Sequence, residues 1–251
     1  MSLAVLDQDA STEPRLRAEI SACTRLMNME GVIGYSGHVS ARLPDGERFL
    51  IQDFDQSRAS VTPESLVICD MNGRMLSGAS GLRPPAEVYI HSEIFKARPD
   101  VNAIAHFHHD LTTTFTVVEG VSLVPLKNHA VRWRSGIPVH PDPGHVDSPE
   151  LGRNLAKTLG PHHALLIRAH GQIVVAEDVR SILIDCIHLV ENAIALYQAA
   201  AIGRVLPLTD REMDDFERAF KRAVHVKKLW SYYIGRGREA GLVPAAWNSW
   251  L

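Results

Sequence analysis

The chain is poor in cysteine and aromatics, and it has no strong excess of charge of either sign. Its three cysteines, Cys23, Cys69 and Cys186, are scattered and form no CxxC pair. An odd count makes a poor disulfide framework, so a reducing cytoplasm is the expected setting. A formal charge of -3 provides no basic field of the kind that draws a protein to nucleic acid or to an anionic membrane surface. Small molecules are therefore the expected partners. No apolar stretch approaches a membrane span, and Met1 to Ala10 has neither a basic start nor a long apolar run, so neither a span nor a secretory signal is expected. Internal repeats and low-complexity runs are missing too. What remains is an ordinary globular composition, 251 residues with 45% hydrophobic and 22% charged, long enough for one large core. We expect one domain over residues 13–251 behind a flexible tail over residues 1–12.

Leu16, Ile20, Cys23 and Met27 recur at helical spacing up to Gly31, a plausible stop. Short strand-like pieces follow at Val39–Arg42, Phe49–Ile51 and Leu66–Cys69, with a turn at Met71–Arg74. Pro84-Pro85 opens a second helix that ends before Pro99, because the residue preceding proline disfavours the helical conformation. Glu87 and His91 lie four apart on it, hence on one face. Val101 to His108 reads as a strand. Its period of two sets Ile104, His106 and His108 on one side and Ala103, Ala105 and Phe107 on the other. Asp147-Ser-Pro-Glu150 is a helix start, Ala164–Arg168 and Gln172–Val175 are strands about a turn at His170-Gly171, and Val179–Ala201 is a long helix. Thr209-Asp-Arg-Glu212 is a capping box for a last helix running toward Tyr233. The order implies an α/β fold: a single three-layer domain with a central mixed or antiparallel β-sheet flanked by helices.

His106 and His108 can point at one ion, but with 13 histidines among 251 residues about 0.7 His-x-His pairs arise by chance. A half-buried, hydrogen-bonded pair is the competing reading. His170 reads equally as an exposed residue before a turn glycine. Glu87 suits the first turn of its helix through the helix dipole alone. His91 is most simply a core histidine, or one that orients Glu87.

The order Gly37-His-Val-Ser40, Pro84-Pro-Ala-Glu87 through His91, Ala105-His-Phe-His108 and Ala169-His-Gly171 resembles the class II (zinc-dependent) aldolase/adducin family, from about Leu16 to Ile202. The resemblance implies that His106, His108 and His170 hold one divalent metal per subunit, Zn2+ with Mn2+ as the alternative. It makes Glu87 the catalytic acid/base, which also touches the metal when substrate is absent. It further implies a homotetramer with active sites at subunit interfaces. A metal polarises substrate oxygens and spreads the charge formed when a carbon–carbon bond breaks, and a carboxylate of suitably raised pKa moves the proton.

Sugar-phosphate members hold their phosphate with a Gly-Asn-x-Ser turn, a Thr-Gly loop and a Ser-Ser pair before the glutamate. Here His38 replaces the asparagine, Gln52-Asp-Phe-Asp55 and Gln56-Ser-Arg58 occupy the loop, and Pro85-Ala86 replaces the serines. Lost donors and added acids disfavour a dianionic phosphate. Arg42, Arg58, Arg83, Lys127, Arg132 and Arg134 instead offer cations for carboxylates. The departures resemble the family's decarboxylase branch. The expected activity is that of a metal-dependent carbon–carbon lyase (EC 4.1) that decarboxylates a hydroxy-aromatic or hydroxypyridine carboxylate through a metal-stabilised enolate. His38, Arg83, His109, Arg132 and Tyr233 are the expected substrate contacts, with His38 or His109 as reserve acids. Tyr233 is more simply packing for the last helix, and Lys127–Arg134 reads as a surface loop or strand, or as a pocket wall or subunit contact. An aldolase for a small hydroxy-keto acid or sugar, an epimerase or dehydratase, and a non-catalytic adducin-like interaction module are the alternatives.

Overall fold

The computed structural model describes the backbone from Leu3 and side chains from Thr12. The expected tail at residues 1–12 falls largely outside the described side chains. Its backbone from Leu3 onward belongs to helix α1 (Leu3–Met29), with Pro14 inside it. Ile20, Cys23 and Met27 bury one stripe of α1 completely, as their spacing predicts.

Eight strands form one sheet: β1 (Gly37–Arg42), β2 (Arg48–Gln52), β3 (Leu66–Asp70), β4 (Met75–Ser77), β5 (Ala103–Phe107), β6 (Val139–His140), β7 (Ala164–Ile167) and β8 (Gly171–Ala176). Their order is β4-β3-β2-β1-β5-β8-β7-β6. Every pairing is antiparallel except β6 with β7, so the sheet is mixed. β1 and β5 meet at its centre, with His38 directly opposite His106.

The remaining helices are α2 (Val88–Ala97), α3 (Asp110–Thr114), α4 (Pro149–Leu159), α5 (Val179–Ile202), α6 (Asp210–Ala219) and α7 (Arg222–Glu239). Strand alternation divides the core between the two faces of the sheet. Ala103, Ala105 and Phe107 pack with α1, α5 and α7 on one side, while Ile104 packs with Ile173, α2 and α4 on the other. The result is three layers.

Three expectations need correction. α2 starts at Val88, and Glu87 is its N-terminal flanking residue with φ -87° and ψ 25°. The Pro85 carbonyl accepts the Val88 N–H three residues on, so residues 85–88 close a tight turn before the α-helical ladder begins. The single last helix is two. The capping box at Thr209 and Glu212 is present, but Phe220 is extended and α7 begins anew at Arg222. That break lets the Arg222 guanidinium reach Asp185 at 2.9 Å and Glu177 at 2.8 Å. Finally, residues 128–133 form a 3-10 turn that puts Ala130 and Trp133 in the core while Asn128 and Arg134 stay exposed, so this stretch is a half-buried turn that lines a surface pocket with His129, Val131 and Arg132.

Candidate metal centre

His106 is fully buried near the end of β5, on the face toward α2. Its Nδ1–H donates to the Gln172 carbonyl at 3.1 Å, which leaves the Nε2 lone pair pointing inward. This is the tautomer a metal needs. His108 continues one step beyond the strand and sets its Nε2 2.9 Å from that of His106. His170 arrives from the β7–β8 hairpin, where Ala169 takes a left-handed φ of 53° and donates its N–H to Thr116 Oγ1. A non-glycine residue accepts such a φ only where its surroundings impose it.

Glu87 completes the group from the start of α2, with its carboxylate 3.4 Å from His106 Nε2 and 3.6 Å from His170 Nε2. The Val146 N–H donates to its Oε1 at 3.1 Å. All four ligand atoms lie within 4.8 Å of one another. Three imidazole nitrogens and one carboxylate converging on one point fit a divalent first-row cation, borderline Zn2+ or the harder Mn2+.

The electrostatics agree with that use. Burial, then the adjacent His106, pushes His108 down to about 3, and burial lowers His170 as well, so both rings are neutral and able to ligate. Burial alone would raise Glu87. The protonated form of His106, with the Val146 N–H and His170, outweighs it and brings Glu87 down to about 2; a cation bound by neutral imidazoles would put its positive charge in the same place. The glutamate therefore rests as a carboxylate, contrary to the expected raised acid.

Among the expected substrate contacts, His38 alone is packed against this group: its ring centroid stands 5.2 Å from that of His106. His91 does not orient Glu87. Its Nε2 lies 2.7 Å from His38 Nδ1 and its Nδ1 lies 2.6 Å from Ser40 Oγ. His109 caps α3, its ring accepting from the Thr112 N–H. Arg83 lies on the loop before Glu87, paired with Asp55 and stacked over Phe54. Arg132 belongs to a separate network, bonded to Asp185 at 3.1 Å and to Glu177 at 2.8 Å. Tyr233 is buried in the α1–α5–α7 core, whereas Tyr232 beside it is 56% exposed.

The other candidate cations are also engaged. Arg42 donates to four backbone carbonyls, Arg58 to those of Gly37, Asp53 and Gln56, Lys127 to Glu191 and Arg134 to Asp214 and Glu217.

A second group, His129, His188 and Glu191, also brings three potential ligand atoms together. Its two rings stack 3.9 Å apart at 11°, so their in-plane lone pairs run parallel without converging. The Lys127 ammonium already sits on Glu191. This group lacks the geometry of the first.

Sequence reading missed the supporting residues Gln172 and Val146, which act through backbone atoms that carry no residue signature, and it quoted Ser40 only as the end of the Gly37-His-Val-Ser40 motif, without a role.

Comparison with known proteins agrees with this arrangement. Residues 18–197 match the family described as Class II Aldolase and Adducin N-terminal domain. The chain is 28% identical over 200 residues to a 3,4-dihydroxyphthalate decarboxylase of Rhodococcus jostii, covering 74% of this chain and 80% of that protein. It is 27% identical over 195 residues to a 3-oxo-tetronate 4-phosphate decarboxylase of Haemophilus influenzae, covering 75% and 89%. A crystal structure of an aldolase II superfamily protein from Pseudomonas syringae superposes with a TM-score of 0.81 at 23% identity, covering 95% of this chain and 98% of that one. With the matched span enclosing all four converging residues, the chain belongs to the class II aldolase and adducin N-terminal domain family.

Proposed function

We propose that this protein is a metal-dependent lyase that decarboxylates a non-phosphorylated hydroxy-aromatic carboxylate. The observation that carries the reading is the pairing of the Glu87, His106, His108, His170 donor set with a neighbouring loop that has its donors turned inward. Gln52 and Arg58 both donate to the Gly37 carbonyl. Asp53 and Asp55 add only acceptors, engaged by Arg83. The Gln52 amide and the bonded nitrogens of Arg58 are thereby withheld from a dianionic phosphate, to which the loop presents two acids and the exposed Ser57 hydroxyl. The relative from Rhodococcus jostii, by its name a dihydroxyphthalate decarboxylase, supports the same substrate class.

His106, His108 and His170 would hold the ion, with Glu87 beside it. A bound divalent cation supplies Lewis acidity toward the substrate's chelating oxygens. Because Glu87 rests as a carboxylate, it first accepts the proton of the hydroxyl next to the departing carboxylate. It then delivers that proton to the ring carbon. The bond from this carbon to the carboxylate breaks, its electron pair restores the ring, and carbon dioxide leaves. The phenolate left behind takes a proton from water. Glu87 thus serves as base and then as acid.

Cytoplasmic location and a homotetramer with sites at subunit interfaces belong to the same proposal. Exposed Tyr35, Phe54, Val117 and Val118 offer apolar surface for association, and among the described residues no helix is long and apolar enough to cross a membrane.

The test is carbon dioxide release from 3,4-dihydroxyphthalate by zinc- and manganese-loaded protein, run beside aldehyde release from hydroxy-keto acids and sugar phosphates. Release of carbon dioxide that is lost in Glu87→Gln is expected. Aldehyde release alone would favour the aldolase reading.

A further inference from the structure

Ser40, His91 and His38 form a buried chain of hydrogen bonds that ends beside the metal ligands. Ser40 Oγ lies 2.6 Å from His91 Nδ1, and His91 Nε2 lies 2.7 Å from His38 Nδ1. All three residues are buried, Ser40 and His91 completely. Each nitrogen–nitrogen or oxygen–nitrogen contact holds one proton, so the chain can run in only two directions.

If His91 donated from Nδ1 to Ser40, the serine hydroxyl proton would need another acceptor. Among the described residues it has none: His91 is the one partner of Ser40 Oγ. A buried donor without an acceptor is disfavoured. In the opposite direction every proton is used. The Ser40 hydroxyl donates to His91 Nδ1, and His91 Nε2–H donates to His38 Nδ1. His38 then carries its proton on Nε2.

Among the described residues that nitrogen has no protein partner, and it is not among the fully buried unpaired atoms, so it keeps contact with solvent in this 4% exposed side chain. The pairing of His38 with His106 across β1 and β5 fixes its place next to the metal group.

We propose that Ser40 and His91 are positioning residues that lock neutral His38 in the Nε2–H tautomer, making it a dedicated hydrogen-bond donor to a carboxylate oxygen of the bound substrate. The assignment of the acceptor rests on the decarboxylase reading above, whereas the tautomer does not. The chemistry also separates His38 from an asparagine at this position. An amide presents both a donor and an acceptor, while this imidazole presents a donor alone and so selects an anionic oxygen.

The experiment is nitrogen NMR of the zinc-loaded full chain labelled with 15N-histidine, with His38 assigned by the His38→Gln variant. Wild type is expected to show a protonated Nε2 and a bare Nδ1 at His38. Titration with phthalate should shift the Nε2 signal. Ser40→Ala should lose the single tautomer and raise the KM for 3,4-dihydroxyphthalate about tenfold, the size of one charge-assisted hydrogen bond, at unchanged metal content. Ser40→Thr, which keeps the hydroxyl, should restore both. A His38 protonated on Nδ1 in wild type would overturn the proposal, and a Nε2 signal indifferent to phthalate would overturn its ligand half. Expected NMR behaviour without turnover of 3,4-dihydroxyphthalate would sustain this assignment and remove the decarboxylase reading alone.

Discussion

Gly171 lies so close to His108 that a β-carbon on it would stand 2.6 Å from the imidazole Cδ2 and 2.5 Å from the Phe107 carbonyl oxygen. The contact clamps the end of β5 against the β7–β8 hairpin, which is how His106, His108 and His170 come to face one point. Gly171→Ala should therefore cost about 1–3 kcal/mol through overpacking. It should also weaken metal binding, because the displaced partner is one of the proposed ligands. Denaturant melts and metal titration of the same preparation would check both; normal affinity would show that the ligands do not depend on this contact.

Removing the metal should separate fold from function. The three-layer core does not pass through the four ligands, so chelated protein should keep its far-ultraviolet circular dichroism and lose turnover. Resupplied Zn2+ or Mn2+ at about a thousand times Kd should add about 4 kcal/mol of stability. His170→Ala should abolish that metal-dependent increment. An increment that persisted in this variant would place the ion elsewhere.

Arg222 and Arg132 converge on Asp185, whose side chain is 1% exposed. Arg222→Met breaks two of the three bonds to a buried carboxylate and should destabilise the protein by about 3 kcal/mol. Arg132→Met should cost less and leave KM unchanged, since this guanidinium serves the network between α5, α7 and the segment after β8. A raised KM with unaltered stability would return Arg132 to the substrate contacts.

Acid should destabilise the protein before its carboxylates titrate. Burial holds His129 and His163 at about 4 and His188 at about 2, against an ordinary value of 6.5. Between those values and 6.5 the unfolded chain binds protons that the folded chain refuses, so stability falls as pH drops below about 6.5. Glu177, brought to about 2 by Arg222 and Arg132 against its burial, adds a loss only below about 4.5. Urea midpoints from pH 7.5 to 4 should show the early fall, and His129→Gln should flatten it. A flat profile down to pH 5 would contradict these buried neutral imidazoles.

Much of this was legible in the sequence because it rests on local periodicity. The alternation of Ala103 to His108 assigned each residue to its face, and Ser148 and Thr209 announced their helices. The turn expected at His170-Gly171 falls at residues 168–170 instead, with the left-handed residue at Ala169 and Gly171 already in β8. The remainder depended on distant partners. The break at Phe220 follows from where Asp185 lies across the fold, and nothing near Arg222 reveals it. Glu87 looked like a tunable acid because the Val146 N–H that bonds its carboxylate and the imidazoles that converge on it come from distant segments. Arg42 and Arg58 looked available because backbone carbonyls, which bind them, leave no mark on a sequence.

The hairpin that carries His170 is added to the sheet after most of its strands, with Ile173 of β8 seated opposite His106 of β5. During synthesis the glutamate and the first two histidines leave the ribosome well before their third imidazole partner. A nascent chain that stops short of β8 can therefore offer a cation only an incomplete set of ligands. With the proposed ligand set, capture of the ion becomes a late event that reports a finished sheet, and a cell short of metal would accumulate folded protein lacking its ion before it accumulated misfolded chains.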